Sequence, residues 1–156
     1  MSKIPFSYTE IHNIVKIKSI DIINKFNPDV IIAISGGGLI PARMLRTYID
    51  IPIYTVSMRY YNKNNEIMEH PELLQWINND FSNKNVLIVD EIDDSGSTIN
   101  FCVDKLRDIN KCKKIAAFVI HYKLKTKRFD NTRLDIDYFI GQDVQDKWIQ
   151  YPWDMI

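Results

Sequence analysis

The sequence lacks several features that would mark a secreted or membrane protein. Its 156 residues include two cysteines and five glycines, and no apolar run approaches the roughly 20 residues of a membrane-spanning helix. The opening stretch, MSKIPFSYTEIHNI, has no apolar segment of the secretory kind. We therefore expect a cytoplasmic protein in which Cys102 and Cys112 are reduced thiols and no structural disulfide forms.

Net charge is also absent. Twenty lysines and arginines balance twenty aspartates and glutamates, so the formal charge is zero. A chain without net charge has no general attraction for a nucleic-acid backbone or an anionic membrane. We expect neither partner, and any site for an anion should be local.

The composition that remains is that of a globular protein, with 46% hydrophobic and 26% charged residues. Strand-like and helix-like segments alternate along the chain, without repeats or a linker. This alternation predicts one α/β domain over residues 1–156, in which a parallel sheet carries helices on both faces. Sheets of this kind bind ligands at the carboxyl ends of their strands.

Local patterns predict the individual segments. Ser7 and Glu10 have the spacing of a capping box, which predicts a first helix over about residues 8–26. Further helices are expected through ARMLRTYI and over residues 97–109, and strands at DVIIAIS, IPIYTVSM, NVLIVD and KIAAFVIHY. The long polar, aromatic-rich connection of residues 59–80 predicts a lid loop, with Tyr60 and Tyr61 as candidates for its unassigned catalytic residues.

The first of these strands ends in a glycine-rich loop, SGGG, at residues 35–38. Consecutive glycines let the backbone approach a ligand closely, so that their N–H groups can cradle an anion. A plain tight turn is the other interpretation. A dinucleotide-binding fold is disfavoured, because Pro41 stands where the last glycine of GxGxxG belongs.

The third strand runs into VLIVDEIDDSGSTINF, which sets acidic residues beside a hydroxyl-rich turn. Asp90 and Glu91 can accept hydrogen bonds from a vicinal diol or hold Mg²⁺. Residues 95–98 offer N–H groups and hydroxyls at a helix N-terminus, which favours a phosphate monoester. One sugar phosphate would satisfy both halves, whereas the alternative is that Asp93 and Asp94 only cap the helix.

These motifs resemble those of a known family. Residues 86–98 have the form of the thirteen-residue diphosphate-sugar motif of the type I phosphoribosyltransferases. The tail DKWIQYPWD, residues 146–154, resembles that of bacterial xanthine-guanine phosphoribosyltransferases, and the motifs together look most like the fungal hypoxanthine-guanine branch. The resemblance covers residues 7–154. It implies a purine salvage enzyme that, with Mg²⁺, transfers the phosphoribosyl group of 5-phosphoribosyl 1-pyrophosphate to a 6-oxopurine.

The resemblance also implies roles for residues around the purine. Asp94 would lie near N7 as hydrogen-bond acceptor and candidate general base. Lys123 would donate to the 6-oxo group, Trp148 would stack on the ring, and Ile149 would offer backbone groups to its edge. Taken alone, however, Lys123 is a surface lysine in a basic run and Trp148 is an anchor for the tail.

The remaining implied roles concern the sugar and the metal. Asp90 and Glu91 would take part in catalysis by holding the ribose hydroxyls and the metal, which Asp154 also approaches, and residues 141–156 would form a small hood over the base. The diphosphate sugar would be bound by Ser35, Gly36, Gly37, Gly38, Asp93, Ser95, Gly96, Ser97, Thr98 and Lys127.

Some features depart from the family pattern or stay open. Gly36 stands where the bacterial enzymes have arginine, Glu91 where they have aspartate, and Ser95 where threonine is usual. A non-catalytic regulatory protein that senses the diphosphate sugar is the alternative function. The joint presence of Asp94, Lys123 and Trp148 favours the enzyme, because a sensor need not retain them. The preferred 6-oxopurine stays open, and the family implies a dimer or tetramer.

Overall fold

The computed structural model describes residues 2–155. Its strands are β1 (Lys3–Pro5), β2 (Val30–Ser35), β3 (Ile53–Tyr61), β4 (Ile67–Gln75), β5 (Asn85–Asp93), β6 (Lys114–Leu124), β7 (Asp137–Gln145) and β8 (Trp148–Gln150). Its α-helices are α1 (Tyr8–Lys25), α2 (Leu39–Arg46) and α3 (Ser97–Asn110), and 3₁₀ turns lie at Asn131–Arg133 and Pro152–Asp154. Met1 of the predicted domain and Ile156 of the predicted hood lie outside the described residues.

Six strands form the main sheet, in the order β4-β3-β2-β5-β6-β7. Neighbouring strands are parallel except for β3 and β4. The predicted α/β fold with a parallel sheet is therefore confirmed. Strand β5 lies between β2 and β6, and its run VLIVD is buried because both faces of the sheet are covered.

Helices cover both faces of this sheet. Helices α1 and α2 pack on one face, where their buried side chains Ile11, Val15, Ile22, Ala42 and Leu45 meet the core. Helix α3 packs on the other face through Ile99, Cys102, Val103 and Leu106. No helix within residues 2–155 has both the length and the apolar character that crossing a bilayer requires.

The capping box predicted for α1 is present. The Ser7 hydroxyl accepts a hydrogen bond from the Glu10 backbone N–H at 3.1 Å, and the Glu10 carboxylate accepts one from the Ser7 N–H at 2.7 Å. Two backbone N–H groups that the first helical turn leaves free are thereby satisfied. The helix starts at Tyr8 and ends at Lys25, close to the predicted bounds.

Residues 59–80 do not form the predicted loop. Strand β3 continues to Tyr61 and β4 returns antiparallel from Ile67, so that most of the segment is a β-hairpin at the edge of the sheet. Its turn is held by the Asn62 side-chain oxygen, which accepts hydrogen bonds from the backbone N–H groups of Asn64 and Glu66. Asn65 takes the left-handed conformation (φ 58°) that asparagine tolerates well. A lid role for the hairpin stays a prediction.

The tail is placed by a second, small sheet. Strand β8 pairs in parallel with β1, with Ile149 opposite Ile4, and the Phe6 N–H donates to the Gln150 carbonyl at 3.1 Å. Ile149 is buried by this pairing, while Trp148 remains 61% exposed. The amino-terminal residues thus hold the tail that carries the predicted base-binding side chains.

Candidate active site

The two loops singled out in the sequence meet at the carboxyl edge of the main sheet. A cleft of about 330 Å³ opens there. Its walls are the end of β5, the turn of residues 94–98, the hairpin residues Tyr60, Tyr61 and Ile67, and Lys125. The acidic pair and the hydroxyl-rich turn therefore share one cavity.

The carboxyl groups of Asp90 and Glu91 have few hydrogen-bond donors around them. Asp90 is 6% exposed and accepts a hydrogen bond from the Glu91 backbone N–H at 2.9 Å. Burial, together with the charge of Glu91, raises the pKa of Asp90 well above its usual range, and burial raises the pKa of Glu91. The Glu91 Oε2 atom is buried and has no hydrogen-bond partner within residues 2–155. A cation or a sugar hydroxyl placed here would relieve this cost.

The donor set also fits Mg²⁺. Within residues 2–155, no group of three or more histidine, cysteine, aspartate or glutamate side chains is arranged to hold a metal by itself. Magnesium is commonly bound through one or two carboxylates plus the phosphates of a substrate, which is what Asp90, Glu91 and a diphosphate would supply. Asp154, on the 3₁₀ turn of the tail, lies near enough that its charge adds to burial in raising the pKa of Glu91.

The glycine loop packs directly on this acidic pair. A side chain at Gly37 would overlap the Glu91 carboxylate, and one at Gly38 would overlap the carbonyls of Ile34 and Val89. Only glycine fits at position 38, which faces backbone atoms, whereas a side chain at position 37 would displace the Glu91 carboxylate and Gly36 faces open space. The prediction that the loop permits a close backbone approach is consistent with this packing, and a larger residue at position 36 would not disturb it.

Residues 95–98 form the turn that opens α3. The Ser95 and Ser97 hydroxyl oxygens lie 3.0 Å apart, and Gly96 adopts φ 81°, where a side chain would overlap the Phe129 carbonyl. Gly96 is the N-cap residue and offers no side-chain cap, while the Ser95 hydroxyl accepts a hydrogen bond from the Ser97 N–H at 3.3 Å. The alternative that Asp93 and Asp94 serve as caps is thus not what the chain forms. The next N–H groups at this end of α3 favour an anion.

Asp93 supports this turn from beneath. It is 2% exposed, and its carboxylate accepts hydrogen bonds from the Tyr138 hydroxyl and, at 3.4 Å, from the Asn131 side chain. Asn131 also donates to the Gly96 carbonyl at 2.9 Å. The carboxylate of Asp93 therefore fixes the turn from a buried position in the wall of the cleft. A direct contact of Asp93 with the diphosphate sugar stays a prediction.

Lys127 has the same supporting position. Its ammonium donates to the carbonyls of Asp93 and Asp94 at 2.8 and 2.9 Å and lies 3.1 Å from the Asp93 carboxylate. These contacts occupy its three hydrogens. Its side chain is 2% exposed and lies against the turn. The contact with pyrophosphate that the resemblance implies stays a prediction.

Asp94 and Lys123, both assigned to the purine, are paired with each other. The Lys123 ammonium donates to Asp94 Oδ2 at 3.1 Å and lies 3.6 Å from Asp146 Oδ1. Lys125 completes the cluster, with its ammonium 2.5 Å from Asp94 Oδ1 and 3.4 Å from Asp146 Oδ1. Lys125 was not among the residues predicted from the sequence. Its signal is the two-residue spacing in KLK, because side chains two positions apart on a strand point to the same side.

The lysines set the ionisation of Asp94. Partial burial acts to raise the pKa of this carboxyl, but the hydrogen bonds and charges of Lys125 and Lys123 outweigh it and leave the pKa below its ordinary value. Asp94 is therefore ionised near neutral pH. An ionised carboxylate accepts hydrogen bonds, and it is the form of the side chain that can take up a proton.

The hairpin reaches over the turn of residues 95–98, which is the candidate phosphate turn. The Tyr60 hydroxyl donates to the Ser97 carbonyl at 2.6 Å, and burial raises the pKa of Tyr60 to about 12. Tyr61 and Ile67 also line the cleft. Of the two tyrosines named from the sequence, Tyr60 makes the direct contact with the turn.

The chain matches proteins of known family. Residues 7–155 match the phosphoribosyl transferase domain. The hypoxanthine-guanine phosphoribosyltransferase of Schizosaccharomyces pombe is 36% identical over 184 residues, which cover 96% of this chain and 87% of the relative. Xanthine phosphoribosyltransferase 1 of Saccharomyces cerevisiae is 35% identical over 161 residues, which cover 81% of this chain and 77% of the relative.

A solved structure shares the fold. A Neisseria gonorrhoeae protein crystallised with bound ppGpp is 38% identical, with a TM-score of 0.85 over 100% of this chain and 92% of that one. The parallel sheet with its two loops at one edge is thus that of the type I phosphoribosyltransferases. The chain belongs to the phosphoribosyl transferase domain family, and the resemblance found in its motifs is confirmed.

Replacing Lys125 by glutamine should raise the pKa of Asp94, because one of two cations that favour the ionised carboxyl is removed. An NMR titration of the Asp94 side-chain carboxyl carbon measures this pKa directly. Lys16→Gln, at an exposed position on α1, is the matched control and should leave the value unchanged. An Asp94 pKa equal in the wild type and Lys125→Gln would contradict the pairing.

The same pair affects stability with a definite sign. Because the folded pKa of Asp94 is lowered, its contribution to stability is present above the unfolded pKa of about 3.9 and is lost as the pH falls through the folded value. Lys125→Gln should therefore destabilise the fold near neutral pH and have less effect in acid. The effect should be small, because Asp94 is about half exposed.

Proposed function

We propose that this chain is a purine salvage enzyme. It transfers the 5-phosphoribosyl group from 5-phosphoribosyl 1-pyrophosphate to hypoxanthine, guanine or xanthine, and releases the nucleoside 5′-monophosphate and pyrophosphate. The observation that carries the proposal is the Lys123–Asp94 pair, an ammonium and an ionised carboxylate at the same sheet edge as the acidic pair and the phosphate turn. The names of the relatives from Schizosaccharomyces pombe and Saccharomyces cerevisiae support it.

The diphosphate sugar is oriented by the two loops. The hydroxyls and N–H groups of residues 95–98 hold the 5′-phosphate at the start of α3, and Asp90 and Glu91 hold the ribose hydroxyls. The backbone of residues 35–38 faces the pyrophosphate. Mg²⁺, when bound by Asp90, Glu91 and the diphosphate, supplies positive charge that stabilises the leaving group.

The purine is recognised by groups on β6 and the tail. Lys123 donates to the 6-oxo group, Asp94 accepts the hydrogen on N7, Trp148 stacks on the ring, and backbone groups of Ile149 meet its edge. An ammonium has donors only, so it selects an oxo group over the amino group of adenine. Binding must separate Lys123 from Asp94, while Lys125 keeps the carboxylate ionised.

The reaction is favoured by position and charge. Breaking the bond at C1′ gives the sugar an oxocarbenium-like character, and attack requires the purine nitrogen to be held in line. The hairpin, anchored by Tyr60 on the Ser97 carbonyl, limits access of water to C1′. We place the enzyme in the cytoplasm as a dimer or tetramer, on the strength of the family resemblance.

The test is a spectrophotometric assay of the purified protein with the diphosphate sugar, Mg²⁺ and each of adenine, hypoxanthine, guanine and xanthine. We expect turnover of at least one 6-oxopurine and none of adenine. In the same assay, Asp94→Asn should lower kcat by about 10² to 10⁴, the usual effect of losing a group that handles a proton. Binding of the diphosphate sugar should change by less than about tenfold, because Asp94 contacts the purine.

The control for this substitution is Asp104→Asn, which makes the same chemical change on an exposed position of α3 and should leave turnover unchanged. Wild-type turnover by Asp94→Asn on every 6-oxopurine would refute the role of Asp94. A protein that binds the diphosphate sugar but turns over none of the four bases would instead support the sensing alternative.

The ppGpp-bound relative favours a second ligand for the same cleft. We propose that ppGpp competes with the diphosphate sugar, because both carry a ribose with a diphosphate group, and the end of β5 and the turn of α3 suit such a ligand. Inhibition of turnover by ppGpp should disappear as the diphosphate sugar is raised, with kcat unchanged. Guanosine, which lacks phosphate, is the control. Inhibition that lowers kcat and leaves KM unchanged would place ppGpp elsewhere.

A further inference from the structure

Tyr151 lies in the tail between Trp148 and the 3₁₀ turn Pro152–Asp154, and it is 4% exposed. Its ring stacks on Trp153, with centroids 4.7 Å apart and an interplanar angle of 4°. A buried phenol normally needs a partner for its hydroxyl. Both partners of this hydroxyl lie outside the tail.

The first partner is the backbone of the acidic pair, and the second is a buried histidine. The Tyr151 hydroxyl donates to the Glu91 carbonyl at 3.2 Å and lies 2.9 Å from Nδ1 of His121. A phenol has one hydrogen and a carbonyl only accepts, so Nδ1 of His121 must be the donor to Tyr151. Burial lowers the pKa of His121 to about 4, so the ring is neutral and its other nitrogen has no partner.

At Glu91, strand β5 no longer has β2 as its neighbour on one side. Strand β2 pairs with β5 only as far as Ala33 and Val89, because the chain then enters the glycine loop. Glu91 lies two residues beyond this last pair. Its backbone is joined to the tail by the Tyr151 hydroxyl, while its carboxylate packs on Gly37.

We propose that Tyr151 is a positioning residue for the diphosphate-sugar site: its hydroxyl fixes the backbone of Glu91 and so the carboxylate that meets the sugar and Mg²⁺. The tail that carries Trp148 is thereby joined to the acidic strand end, so one side chain links the two substrate positions. The inference rests on the proposed function, since it assigns Glu91 to the diphosphate sugar. Groups that orient the residues holding a metal commonly matter for affinity.

The test is Tyr151→Phe, which keeps the ring and its stacking on Trp153 and removes the hydroxyl. Calorimetric titration with Mg²⁺ and 5-phosphoribosyl 1-pyrophosphate should give a Kd about 3 to 10 times higher than that of the wild type, as expected for one lost hydrogen bond. In the turnover assay, KM for the diphosphate sugar should rise by a similar factor, and KM for the purine by less than about twofold. His121→Leu removes the donor to Tyr151 and should shift the Kd in the same direction.

The chain offers a matched control in a second His–Tyr pair. His12 Nε2, on α1, lies 2.5 Å from the hydroxyl of Tyr48, which follows α2. Tyr48→Phe therefore makes the same chemical change away from the cleft. Tyr48→Phe should leave the Kd for the diphosphate sugar unchanged, even where it lowers thermal stability. A Kd that is equal in Tyr151→Phe and the wild type, or that rises equally in Tyr48→Phe, would overturn the inference. A wild type that binds no diphosphate sugar would overturn the proposed function itself, and the inference with it.

Discussion

The carboxyl end of β5 carries two acidic side chains whose charges the protein leaves largely uncompensated, and the rest of the site is built around them. Asp90 is buried and Glu91 is partly buried, the pKa values of both carboxyls are raised, and Glu91 Oε2 has no hydrogen-bond partner among residues 2–155. Charged groups are costly in such surroundings unless an opposite charge or a donor is close. A ligand that brings hydroxyls and Mg²⁺ would remove this cost, and the proposed function assigns the strand end to such a ligand.

The charges of the next two acidic residues, Asp93 and Asp94, are by contrast compensated by lysines. Asp93 is neutralised by Lys127 beneath the phosphate turn, and Asp94 by Lys123 and Lys125 at its side. The four carboxylates of this segment therefore form two pairs. The charges of Asp90 and Glu91 are left without a neighbouring cation, whereas those of Asp93 and Asp94 are compensated by lysines. This division lets Asp93 support the turn while Asp94 stays ionised, which is the form that the proposed contact with the purine requires.

Much of the fold could be predicted because its signals are local. Apolar β-branched runs, the Ser7–Glu10 capping box and the placement of both loops at strand ends all depend on residues close in sequence. The hairpin was missed because edge strand β4 reads IMEHPELLQ, in which proline and polar residues weaken the strand pattern. Strands β1 and β8 have three residues each and are recognisable only from their pairing.

The residues of the site can likewise be separated into those that the local sequence predicts and those that it does not. The acidic pair, the phosphate turn and the glycine loop are contiguous motifs, and the structure brings them into one place. The contacts of Lys127 and Tyr151 connect residues that are 34 and 60 positions apart, and no spacing in the sequence reveals which way such side chains point. Lys127 was therefore recognised only as a candidate ligand contact, without its support of the turn, and Lys125 was overlooked although it lines the cleft.

The most direct test of this account is a crystal structure of the protein with 5-phosphoribosyl 1-pyrophosphate and Mg²⁺. We expect the 5′-phosphate on the N–H groups of residues 95–98, and the ribose hydroxyls or the metal within bonding distance of Asp90 and Glu91. The Glu91 Oε2 atom, now without a partner, should gain one. A diphosphate sugar bound away from the end of β5, with both carboxylates left as they are, would contradict the account.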